Sequence, residues 1–203
     1  LLHDAPHLAI ILGGNDHVIE YNDIHHVATE TDDCGAFYMG RNPSERGTVI
    51  RYNFFHDLIG FGMENGKWVS PHYCWGVYLD DNAGGIDVVG NIVARCIRGL
   101  VHLHNGRDNL IENNVLIDAT LQQVEYNGWT DKHSYWVSHL PTMVKGYESV
   151  ASQPAWKTMR NMQLHPKDAV LPDGKIMTGN VFRRNIVAYH GQKSKLYQLN
   201  SNV

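Results

Sequence analysis

Short alternations of apolar and polar residues, three to five long and broken by single turn residues, run through most of this chain. The clearest stretch is Asn15 to Gly40. Val18-Ile19-Glu20-Tyr21 alternates as a strand, Asn22 turns the chain, Ile24-His25-His26-Val27 makes a second strand, and Ala36-Phe37-Tyr38 a third after a polar loop. The same grammar returns in residues 47–57, 86–93, 109–117 and 180–187, with Asn53, Asn91, Asn114 and Asn185 in the place of Asn22. The steps between these asparagines are 31, 38, 23 and 71 residues. A unit of two or three short strands with insertions at fixed points is the signature of a solenoid. Each copy is therefore expected to be one coil of a parallel β-helix. The turn asparagine is expected in a left-handed or bridge conformation, stacked so that each amide bonds to the next. In an all-β sandwich, asparagine would mark ordinary turns with no reason to return at one place in the repeat.

The pattern predicts a single domain over residues 1–203, interrupted once. Leu8–Leu12 alternates as part of an incoming coil, so the chain reads as a piece of something longer. The alternation dissolves after Gly128. Residues 129–175 carry Trp129, Trp136, Trp156 and a helix-compatible stretch at 142–151, which predicts an irregular, partly helical insertion packed over one face or rim. Coils resume at Ile176.

Composition removes several functions. The 17 basic and 21 acidic side chains give a formal charge of −4 with no basic stripe, which argues against a nucleic-acid partner. No apolar run approaches the length of a membrane span. No secretory leader opens the chain; any export signal is expected upstream, and a secreted or periplasmic location is expected. Cys34, Cys74 and Cys96 form no CxxC, and Cys34 and Cys96 read as small core residues. The 13 histidines show no zinc-ligand spacing, so neither a metal nor another cofactor is expected.

The chemistry is expected at two acidic pairs. Asp32-Asp33 precede Cys34-Gly35-Ala36-Phe37-Tyr38, and Asp80-Asp81 follow Gly76-Val77-Tyr78-Leu79. Stacked coils lie about 4.7–4.9 Å apart, so the pairs are expected at opposite ends of one strand pair or on facing lips of a cleft. A separation of several ångströms up to about ten spans the distances of the two carboxylates in glycosidases. Taken singly, each pair is an ordinary solvated turn; the coincidence of two beside aromatic strands carries the reading. Candidate supporting residues are His25, His26, Glu30 and Arg41 near the first pair, and His56, His102, His104 and Arg107 on later coils. Trp68, Trp75 and Trp129 are candidate platforms for sugar rings.

The ordered motifs HDAPH (3–7), GNDHVIEYNDIHHV (14–27), ETDDCGAFYMGR (30–41), GTVIRYNFFHD (47–57), GVYLDD (76–81) and NGRDNLIENNVLID (105–118) resemble glycoside hydrolase family 141 over residues 3–130. That resemblance implies a right-handed parallel β-helix of the pectate-lyase kind and hydrolysis of fucosides or xylan-type glycans. It places the two catalytic aspartates in the TDD and YLDD motifs, at Asp33 and Asp80, with Asp32 and Asp81 as rivals. An oligo- or polysaccharide is then the expected partner. Two other readings fit the fold: a polysaccharide lyase, which needs Ca²⁺ and a basic residue although Lys67 is the only lysine in residues 1–131, and a carbohydrate-binding β-helix without catalysis.

Overall fold

The computed structural model describes residues 1–158 and 165–203; positions 159–164 of the expected insertion lie outside the described residues. The chain repeats a three-strand cycle. Strands Leu2–Ala5, Asp23–Val27, Phe54–Leu58, Ile92–Cys96, Val115–Ile117 and Ile186–Ala188 form a first face. Ile10–Ile11, Cys34–Gly40, Cys74–Asp80, Gly99–His104, Gln122–Asn127 and Lys195–Leu199 form a second. Val18–Glu20, Val49–Arg51, Asp87–Val89, Leu110–Glu112 and Val181–Arg183 form a third. Neighbours within all three faces are parallel. The faces therefore stack coil upon coil as a β-solenoid, as the repeat predicts.

The interior is built from rows of apolar side chains in register. Ile24, Phe55, Val93 and Leu116 run down the first face, Phe37, Val77, Val101 and Val124 down the second, and Ile50, Val88 and Ile111 down the third. All of them are fully buried. At about 1.5–3 kcal/mol for each large side chain buried, these rows are what holds the short strands together.

The turn from third to first face is short and carries the asparagine stack. Asn22 Nδ2 donates to Asn53 Oδ1 (3.0 Å), Asn53 to Asn91 (3.0 Å), Asn91 to Asn114 (3.1 Å) and Asn114 to Asn185 (3.0 Å). Each backbone N–H in the series donates to the same oxygen. The left-handed half of the turn expectation needs correcting. The left-handed residue is not the asparagine but the one before it: Tyr21, Tyr52, Gly90, Asn113 and Arg184 have φ of 56°, 57°, 67°, 57° and 56°. That residue bends the chain outward, and Tyr21 and Tyr52 are accordingly exposed. The asparagine keeps an ordinary φ and turns its amide inward to the stack.

Insertions gather on either side of the second face. A hairpin, Gly62–Glu64 with Lys67–Val69, precedes strand Cys74–Asp80. The larger excursion follows Gln122–Asn127 and is closed by an antiparallel bridge between Thr130 and Lys175, close to the boundaries that the sequence predicts. Its helix Ser134–Val150 begins eight residues before the expected stretch and contains Pro141. Trp136 and Met143 on that helix bury against Trp129, Ala169 and Ile176, a second apolar cluster over the rim of the stack. That packing recruits the early turns that local sequence leaves unmarked.

Candidate active site

The candidate site lies along the second face, where outward side chains of adjacent coils align. Tyr38, Tyr78, His102 and Glu125 share one register row, and Gly40 stands beside Asp80 in another. Two glycines make room for it. A Cβ on Gly35 would sit 3.0 Å from Tyr78 Cβ, and one on Gly40 only 2.9 Å from Asp80 Cβ. Hydrogen-only positions there let the next coil bring its tyrosine and aspartate close to the preceding strand.

Asp80 is the hub. Tyr38 Oη donates to its Oδ2 (2.6 Å), while Tyr78 Oη and His104 Nδ1 lie 2.8 Å from its Oδ1. Asp33 begins the neighbouring strand, yet the Tyr78 hydroxyl also stands 3.3 Å from Asp33 Oδ1. The two aspartate oxygens that Tyr78 touches are thus separated by no more than its two legs together, about 6 Å. Asp81 lies 3.4 Å from His104 Nδ1 and 3.4 Å from Arg41 Nε.

The three carboxylates are tuned apart. Burial raises Asp33, and the Asp80 charge adds to the rise. Asp81 is raised for the same two reasons. Burial also acts to raise Asp80, but the hydrogen bonds from His104, Tyr38 and Tyr78 outweigh it and hold Asp80 below the usual carboxylate range. Tyr38 and Tyr78 are both pushed up, first by burial, and remain hydroxyl donors. One carboxylate held in its charged form therefore stands beside two whose proton affinity is raised.

Further along the same face, Glu125 accepts from Trp75 Nε1 (2.9 Å) and Gln122 Nε2 (2.5 Å), with Arg98 Nε at 3.6 Å. Burial opposes its charged form, but His102, Arg98 and Trp75 outweigh burial and hold it down to about 2. The buried ring of His102 is pushed down by desolvation, and its Nδ1 sits 3.5 Å from Glu125 Oε2.

The structure sorts the expected site residues. Asp33, Asp80, Asp81, Arg41 and His104 converge, and His102 adjoins them through its ring contacts with Tyr78 and His104. Asp32 turns away to His72 Nδ1, whose Nε2 reaches Glu64 on the hairpin at 3.0 Å. His25 and His26 belong to the first face, not the second. Glu30 is exposed on the loop between faces. Arg107 is buried in a cavity beneath the insertion, with Trp136 and Trp156. The platform role fails for two tryptophans: Trp75 and Trp129 are 1% and 4% exposed and offer no face to a sugar. Trp75 instead donates to Glu125, and Trp129 Nε1 donates to His104 Nε2 (3.1 Å). Trp68, on the hairpin, is 61% exposed.

Sequence reasoning left out Tyr38, Tyr78 and Glu125 as site residues. The recurring Gly-small-aromatic pattern marks the two tyrosines. Glu125 carries no local signal, since only stacking sets it in the row of Tyr78 and His102. No family model, curated protein or solved structure matches the chain.

Proposed function

We propose that this chain is a glycoside hydrolase built on a right-handed parallel β-helix, acting on a fucoside or xylan-type glycan as its motifs imply. The observation that carries the reading is the Tyr78 hydroxyl held between Asp33 and Asp80, whose surroundings drive their proton affinities in opposite directions. Paired carboxylates pushed apart in this way mark an acid and its ionised counterpart. Asp33 is then the general acid that protonates the leaving oxygen, and Asp80 the nucleophile. Their facing oxygens lie no more than about 6 Å apart, a span compatible with retention, which uses carboxyls about 5–5.5 Å apart. Arg41, beside Asp81 and largely exposed, is placed to hold a sugar hydroxyl, and the exposed Trp68 to stack on a ring.

The test is hydrolysis of aryl α-L-fucosides and β-xylosides by the chain and its Asp33→Asn and Asp80→Asn variants. Asp80→Asn is expected to abolish turnover. Asp33→Asn should cost about 10²–10⁴-fold on a poor leaving group and far less on a nitrophenolate, which needs no acid. Wild-type rates in both variants on every accepted glycoside would overturn the proposal. A lyase draws support from one observation, the convergence of donor atoms from Asp80, Asp81 and His104 within 4.8 Å, where a cation would fit. Loss of activity in EDTA together with an unsaturated, ultraviolet-absorbing product would select that reading.

A further inference from the structure

The first face carries histidines that the proposed reaction does not use. His3, His25 and His56 occupy one register on three successive coils, and their rings stack at centroid distances of 5.2 and 4.9 Å. Asp23 precedes His25 by two positions and so shares its side of the strand. It sets Oδ1 3.0 Å from His56 Nε2. One donor atom each from Asp23, His25 and His56 lie within 4.8 Å of one another.

Support for these donors stands behind them. His56 Nδ1 meets Asp57 Oδ2 at 2.6 Å, and Asp57 in turn accepts from Arg95 Nε (2.5 Å) and Nη2 (2.8 Å). The far nitrogen of His56 is thereby committed to a carboxylate and Nε2 is turned towards Asp23. Metal-binding histidines show this same arrangement, in which the outer partner fixes the tautomer and raises the basicity of the ligating nitrogen.

We propose that Asp23, His25 and His56 bind a late first-row divalent cation such as Zn²⁺, with water completing the coordination. Mixed imidazole and carboxylate donors suit such an ion, whereas Ca²⁺ and Mg²⁺ prefer oxygen alone. A tetrahedral zinc with bonds of about 2.0–2.1 Å sets its ligands roughly 3.3 Å apart. Closing from the present spread falls to the exposed Asp23 and the partly exposed His25, since Asp57 holds the His56 ring. The ion would tie strands Asp23–Val27 and Phe54–Leu58 together through side chains, adding to their backbone bonds and to the Asp57–Arg95 pair that links the next coil.

The experiment is calorimetric titration of the untagged chain with ZnCl₂ and with CaCl₂, alongside thermal unfolding with and without zinc. One equivalent of Zn²⁺ is expected to bind and to raise the melting temperature, with Ca²⁺ giving no saturable heat. His25→Ala and the surface-conservative Asp23→Asn should each weaken zinc binding at least tenfold, and Asp80→Asn should leave it intact. Absence of saturable zinc binding, indifference to both His25→Ala and Asp23→Asn, or loss of binding in Asp80→Asn would overturn the assignment.

Discussion

Trp129 Nε1 donates to His104 Nε2 across 3.1 Å, and this contact fixes where the imidazole keeps its proton. An indole N–H is only a donor, so His104 Nε2 must accept and the ring proton sits on Nδ1. From there it is donated to Asp80 Oδ1 at 2.8 Å. A second proton on His104 would set two donors face to face. Trp129→Phe keeps the aromatic bulk and removes the constraint. Turnover is expected to fall about tenfold, the scale of losing an orienting partner. Unchanged turnover in the variant would show that the tautomer is not set here.

Tyr78 acts on both carboxylates in one direction. Its hydroxyl lowers Asp80 and moderates the rise of Asp33. In the proposed reaction Asp80 must be ionised and Asp33 protonated, so activity opens above the depressed Asp80 value and closes as pH rises through the raised Asp33 value. Tyr78→Phe releases both groups upward. The entire bell in kcat/KM should move to higher pH, with a peak lower by about tenfold to a hundredfold, the worth of one hydrogen bond to a charged group. A profile that loses height without moving would contradict the shared-hydroxyl account.

Gly40 tests the close approach directly. An added Cβ would meet Asp80 Cβ at 2.9 Å and Asp80 O at 3.0 Å, neither of which belongs to a flexible side-chain end. Gly40→Ala is expected to cost about 1–3 kcal/mol of stability and to reduce turnover far more than that loss explains, because Asp80 is displaced. Denaturant midpoints and turnover measured on the same preparation separate the two effects.

The asparagine stack predicts a graded series. Asn91 is 1% exposed, donates to Asn114 Oδ1 and Ile50 O, and accepts from both the backbone and the amide of Asn53. Asn91→Ala strands several buried polar groups at about 1–3 kcal/mol each. Asn22, at the end of the row and partly exposed, has fewer partners to strand. Urea unfolding should rank Asn91→Ala well below Asn22→Ala in stability, and equal losses would mean that the stack is not cooperative.

The architecture was legible because every coil repeats the same demand: one apolar residue inward per strand and one asparagine at the tightest corner. Those demands are local, and the rows of Ile24, Phe55 and Val93 follow from them. The site was legible only in part. Asp33 and Asp80 stand out as carboxylates beside aromatic strands, but the bridge by Tyr78 depends on a side chain reaching back along a neighbouring coil over Gly35. Alternation does not encode that reach. Trp75 and Trp129 were misread for a related reason: large aromatic area suggests a platform, whereas in this fold their N–H groups are spent inside, on Glu125 and His104. The early turns of the helix carrying Trp136 were hidden because tertiary packing, rather than propensity, sets their extent.

The Thr130–Lys175 bridge shows the excursion leaving and re-entering the stack at a single doorway. Asn114 and Asn185, 71 positions apart, meet at 3.0 Å, against 3.1 Å for Asn91 and Asn114 at a spacing of 23. Contour length and lattice geometry are therefore independent in this molecule. Whatever is threaded between two windings can lengthen, shrink or be exchanged without shifting the rungs on either side, so the insertion beside His104 is free to diversify while its foundation stays fixed.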